Sequence, residues 1–175
     1  MKNALLGKPL MKSLERRELS KKYLAFDSGT PQSTVSDHTK GKQPVDVNKA
    51  IDYAMSLQDS AFNLEVAYIF FGTISSMTGD KYQNNPLALD ILQLKESNER
   101  KAKKDKTFEI LTLNPKEISQ KDKNTIFDYA CEYLDEIMLE ISLLVSLLDI
   151  CEITITEAVN HRMEYWKEKG YMRGG

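Results

Sequence analysis

Asn124 to Cys151 reads NTIFDYACEYLDEIMLEISLLVSLLDIC, and this stretch decides the fold class. Ile126, Phe127, Ala130, Leu134, Ile137, Ile141, Leu144, Val145 and Leu148 recur at helical spacing. Asn124 or Thr125 suits the cap of a helix running to about 151. Met138, Leu139, Leu143 and Leu147 widen the apolar surface beyond one stripe, which predicts a place in a bundle core or at a dimer interface. The same helix carries Glu132, Glu136 and Glu140 at i, i+4 and i+8, with Asp135 beside them, all on one face. Like charges so placed repel by a few tenths of a kcal/mol each in water. A hard cation such as Mg²⁺ relieves that repulsion by taking carboxylate oxygens. The competing reading is a solvent-facing acidic stripe paired with lysines from elsewhere.

Downstream, Thr154-Ile-Thr-Glu157 has capping-box spacing and predicts a last helix to Lys169. Lys167 and Lys169 suit its C-terminal dipole, and Gly170 the position after it. Upstream, Val47, Ile51, Ala54, Ala61, Leu64 and Tyr68 predict one helix capped by Asp46 and ended by Gly79. The run Val66 to Phe71 is apolar on all sides, which places that helix centrally. Pro86, after Asn84 or Asn85 as cap, opens a further helix with Leu87, Ile91, Leu92 and Leu94 as its stripe. Lys95 to Lys106 (KESNERKAKKDK) reads as a solvated helix end running into a loop, where Glu96, Glu99 and Asp105 interrupt an otherwise anion-attracting patch. The following FEILTL (108–113) is too short for periodicity to assign.

Residues 1–45 differ in composition. Lys12 to Tyr23 suits a short charged helix, and Asp27 to Pro44 is rich in Ser, Thr, Gly, Pro and Lys. The expectation is an N-terminal extension, extended or partly disordered, ahead of a helical domain over 46–175. The fold class is all-α, a bundle of four or more helices with no sheet larger than two short strands.

A chain of 175 residues buries enough apolar surface to stand without a metal or disulfide staple. The charge is nearly balanced, 24 basic against 26 acidic residues, so nothing points to nucleic acid or a membrane surface. Cys131 and Cys151 lie among apolar helical residues and read as free buried thiols, which places the protein in the cytosol. No targeting segment or membrane-length apolar run is present, no P-loop or GxGxxG occurs, and no nucleophile motif accompanies the serines. His38 and His161 lack a His, Cys or Asp partner at ligand spacing. A metal site on the long helix needs carboxylates from a second helix, and the candidates are Asp59 and, inside an apolar run, Glu65.

The stretch from Asp135 to Tyr171 resembles the C-terminal half of MazG-like all-α nucleoside triphosphate pyrophosphohydrolases: a helix opening with acids, an apolar run, a short link, then a helix in which Ala158, Val159, Arg162, Met163 and Lys167 or Lys169 fit. The resemblance implies a homo-oligomeric helical enzyme whose ExxE on one helix and ExxD on the next hold Mg²⁺. It implies Glu65, Glu132, Asp135, Glu136 and Glu140 as metal ligands, with Glu136 and Glu140 catalytic, and Arg162, Trp166, Lys167 and Lys169 as nucleotide-binding residues. The reaction implied is cleavage of a nucleoside triphosphate to monophosphate and pyrophosphate. Glu136 falls on the family's Glu, Leu139 falls where its Asp stands, Glu132-Tyr-Leu-Asp135 is an ExxD one turn early, and Trp166 replaces an Asn. These departures leave a second expectation open, a non-catalytic helical accessory protein, of phage or mobile-element type, that binds a protein partner.

Overall fold

The computed structural model describes residues 3–77, 79 and 81–173. Eight helices carry the described chain, and the two strands are two residues each, as the all-α reading expects. The chain divides into two compact units, one of 1–75 with 148–175, the other of 76–147.

The first unit begins with β1 (Asn3–Ala4), α1 (Gly7–Arg16), α2 (Lys21–Asp27), α3 (Gln32–Thr39) and β2 (Val45–Asp46), where the sequence suggested a loosely ordered extension. The two strands pair antiparallel, Asn3 with Asp46 and Ala4 with Val45. These residues fold because most of their few apolar side chains share one buried side, although Leu5 and Phe26 face solvent. Leu6, Leu10 and Leu14 form one buried stripe of α1, joined by Leu24, Ala25, Val35 and Val45. Each buried leucine is worth about 1.5–3 kcal/mol relative to exposure. Gly7 sits hard against the turn after α3: a Cβ there would meet Gly41 N at 2.7 Å.

The single helix expected from 46 to 79 is two. Asp46 does cap α4 (Val47–Leu57), accepting from the Asn48 and Lys49 amides. The chain then turns at Gln58, and Asp59 starts α5 (Ser60–Phe71) by accepting from the Ala61 and Phe62 amides. Gly72, in left-handed conformation, ends α5. Ala50, Tyr53 and Leu57 from α4 and Phe62, Val66 and Phe70 from α5 complete the core, while Tyr68 and Phe71 face solvent. α5 therefore buries one stripe, not its whole circumference. His38 lies in this core, its Nδ1 sharing a 2.8 Å hydrogen bond with the Tyr53 hydroxyl. Burial lowers the His38 pKa.

The second unit consists of α6 (Pro86–Leu111) and most of α7 (Gln120–Ile150). Asn85 caps α6 by accepting from the Ala88 amide, with Pro86 in the first turn. The charged stretch 95–106 does not end the helix, and 108–111 continues it. Its lysines and glutamates are good helix formers, and the loop begins only at Thr112. α7 starts four residues before the expected Asn124. α8 (Ile155–Glu168) returns to the first unit, where its Ile155 amide donates to Ser60 Oγ at 2.8 Å. The capping box of Thr154 and Glu157 is formed as the spacing predicts. Both cysteines are free, but Cys131 is half-buried and Cys151 exposed, because Cys151 lies just past the end of α7. Among the described residues, no helix is long and apolar enough to cross a membrane.

Candidate metal centre on the helical hairpin

α6 and α7 run antiparallel, and their polar side chains set the register. Gln93 Nε2 donates to Glu140 Oε1 at 3.3 Å and to Glu136 Oε1 at 3.4 Å. About two turns on, the Arg100 guanidinium donates to Glu136 and, at 3.2 Å, to the Tyr129 hydroxyl, and stacks 4.6 Å above the Tyr133 ring. Lys103 donates to Glu132, and Phe108 meets Tyr129 edge-on at 6.1 Å. Each step along α6 therefore meets the previous turn of α7.

Glu136 is 6 % exposed, and the Arg100 guanidinium holds its carboxyl below the ordinary range against the opposing pull of burial. Arg100 and Lys103 are in turn held more firmly protonated, by Glu136 and Glu132 respectively. Lys95 bridges Glu99 at 2.9 Å and Glu96 at 3.1 Å, and these carboxylates raise its pKa, Glu99 the more strongly.

Among the described residues, the carboxylates that converge are Glu96 and Glu99 of α6 and Glu132 of α7: one oxygen from each lies within 4.8 Å of the others. Neighbouring oxygens around an octahedral Mg²⁺ stand about 3 Å apart, so a hard cation would need these carboxylates drawn closer, with water completing its shell. The ammoniums of Lys95, on Glu96 and Glu99, and of Lys103, on Glu132, now supply the compensating charge. Both are exposed, and exposed ion pairs are weakly held. Beside this cluster, Glu96 and Asp135 border a cavity of about 190 Å³ walled by Leu92, Met138, Leu139 and Tyr82. The Asp135 carboxylate has no hydrogen bond or ion pair among the described residues.

The other residues singled out from the sequence fall elsewhere. Glu136 and Glu140 are engaged by Arg100 and Gln93. Glu65 belongs to the first unit, where burial raises its pKa and Arg16, Lys12 and Lys8 of α1 oppose that rise. Asp59 caps α5 and is gripped by Arg16 through Nη2 at 2.8 Å and Nε at 3.1 Å. On α8, Arg162 and Lys169 flank the Tyr165 ring at 4.1 and 5.8 Å, Lys167 is exposed and Trp166 half-buried. In the sequence, Glu96 and Glu99 read as interruptions of a lysine run. The signal that identifies them is spacing: Glu96-Ser-Asn-Glu99 is an ExxE one helix ahead of the ExxD at Glu132-Tyr-Leu-Asp135.

No protein-family model, curated protein or solved structure matches this chain.

Proposed function

We propose that this chain is a Mg²⁺-dependent pyrophosphohydrolase of nucleoside triphosphates on a MazG-like plan, with Glu96, Glu99, Glu132 and Asp135 as its metal-holding set. The observation that supports it is the convergence of an ExxE and an ExxD across one helical hairpin, with three of the four carboxylates within 4.8 Å. A bound Mg²⁺ would polarise a phosphoryl oxygen and lower the pKa of a coordinated water. The chain's own residues do the rest. Arg100 and Glu136 fix the helix register that aims Glu96, Glu99 and Glu132 at one point. Lys95 and Lys103, displaced from carboxylates, carry their ammoniums to phosphate oxygens. Asp135, at the cavity edge and without a hydrogen bond or ion pair among the described residues, is free to join those carboxylate ligands. Arg162, Trp166, Lys167 and Lys169 belong to the first unit and take no part in this site.

The working form in this proposal is a homodimer, and the location cytosolic. Leu87, Ile91, Leu94, Leu134 and Leu144 of the hairpin are exposed, and α8 buries no residue fully. Two helices cannot close a core by themselves, so a second copy supplies the missing layer. The same exposed surface supports the other reading, a non-catalytic helical protein that binds a different partner.

The test is pyrophosphate release from a panel of nucleoside triphosphates with millimolar Mg²⁺. The hydrolase reading expects turnover of at least one, lost by about a hundredfold or more in Glu99→Gln and Glu132→Gln, the scale of removing one transition-state contact. Absence of turnover with every nucleotide gives the interaction reading the lead.

A further inference from the structure

Helix ends in this chain commonly pass through left-handed backbone. Gly29, Gly41, Gly72 and Gly170 do so after α2, α3, α5 and α8, where glycine costs nothing sterically. After α1, α4 and α7 the same conformation is held instead by Glu18, Gln58 and Glu152, with φ of 52°, 49° and 57°. These are the non-glycine residues with positive φ among those described, and all three border one open pocket of about 550 Å³ in the first unit. Gln58 turns its side-chain amide to the Met55 carbonyl at 2.6 Å, whereas at Glu18 and Glu152 a side chain where glycine would be unstrained suggests that the side chain itself is used.

The pocket holds unpaired groups of both signs. The exposed Glu18 and Glu152 carboxylates and the exposed Arg17 guanidinium make no hydrogen bond or close ion pair with any described residue, although Arg17 lies within electrostatic reach of Asp149. Ser56 is only 8 % exposed, borders the pocket, and its hydroxyl has no hydrogen-bond partner among the described residues. That hydroxyl is not closed off from solvent, so it is free to hydrogen-bond what enters the pocket. Arg16, by contrast, is fixed on Asp59, which itself caps α5, so that wall is rigid. Leu19 and Leu57 give the pocket an apolar floor, with Tyr23 at its side. The volume suits a small ligand.

We propose that this pocket binds a small zwitterion of the α-amino acid class. Its carboxylate is taken by Arg17 in the planar fork that guanidinium offers, its ammonium by Glu18 and Glu152, and its side chain by Leu19 and Leu57. A purely anionic ligand would meet two unpaired carboxylates, and a purely cationic one would leave Arg17 idle. Ser56 gives the ligand a further hydrogen bond. The inference is independent of the hydrolase reading.

The test is calorimetric titration of the full chain with L-leucine and L-phenylalanine as probes, against N-acetyl-leucine, which lacks the cation, and leucinamide, which lacks the anion. Binding of at least one amino acid is expected, weakened about tenfold or more with both blocked compounds and in Arg17→Gln, the scale of one charge-assisted hydrogen bond. Glu18→Gly and Glu152→Gly should weaken binding similarly while raising the unliganded melting temperature by about 2 °C as strain is released. Glu18→Gln, which keeps the side-chain shape, separates loss of charge from any change of fold. No heat with either amino acid, equal binding of the blocked compounds, or unaltered binding in the variants would overturn the assignment.

Discussion

The two units of this chain differ in how much charge their centres carry. In the first, five helices and a strand pair converge on an apolar centre in which Leu6, Leu10, Leu24, Val35, Val45, Ala50, Tyr53 and Phe62 are fully buried. Charge there lies mostly at the edges, in caps and in the Arg16–Asp59 pair. In the second, Leu89, Leu139, Val145 and Ile110 are buried, but the seam between α6 and α7 also carries charge, Arg100 on Glu136 and Lys103 on Glu132, while leucines such as Leu94 and Leu144 look outward. Apolar burial makes a unit self-sufficient. A polar seam with apolar flanks makes a unit that is specified in register yet incomplete, which suits a place where a cation and another chain are received.

That contrast is open to attack by substitution. Leu10→Ala or Phe62→Ala, in the closed core, should lower stability by about 3–5 kcal/mol in urea unfolding. Leu94→Ala, on the exposed flank, should change stability by under about 0.5 kcal/mol per chain. It should instead shift sedimentation towards monomer. Equal losses at the two sites would dissolve the distinction.

A smaller effect is expected at Gly7. Its Cβ would stand 2.7 Å from Gly41 N and 3.0 Å from Gly41 Cα, backbone atoms that yield little. Gly7→Ala should cost about 1–3 kcal/mol, the range for overpacking, read in the same unfolding assay.

The smallest effect is a pH dependence confined to the first unit. Burial lowers the His38 pKa from its ordinary 6.5, while Asp37 and Asp46 pull it back up. The unfolded chain therefore takes up this proton first as pH falls. The stability of the neutral, Tyr53-bonded imidazole is present above about pH 6.5 and is lost as pH drops towards and through the lowered folded value. His38→Gln should flatten the melting-temperature slope between about pH 7 and about pH 5. At neutral pH it should cost about 1 kcal/mol for the lost hydrogen bond. A slope unchanged by the substitution would show that other groups carry it.

How much of this was written in the sequence differs between the units too. The caps Asp46, Asn85 and Thr154 and the long apolar helix were legible because each depends on neighbours a few residues away. The helices at 7–39 were not, because α3 (QSTVSDHT) has one strong apolar residue and buries His38 and Thr39 by hydrogen bonding instead. The break at Gln58–Asp59 was hidden because the apolar pattern stays in phase across it, while Asp59 is a cap only once Arg16 and the α5 amides meet it. At the candidate site, the α7 acids were visible as a face. Their partners were not: a lysine-rich run looked like a solvated end, and only the antiparallel pairing of α6 with α7 turns Glu96 and Glu99 towards Glu132.

The most direct measurement of the central claim is thermal unfolding with and without Mg²⁺ or Mn²⁺. A site formed by Glu96, Glu99 and Glu132 predicts a melting temperature that rises with the ion, equivalent to about 2.7 kcal/mol at a hundredfold excess over the dissociation constant. The rise should vanish in Glu99→Gln and Glu132→Gln and persist in Glu140→Gln, whose carboxylate bonds Gln93 instead. A melting temperature indifferent to both ions, or a rise that survives Glu99→Gln and Glu132→Gln, would contradict it.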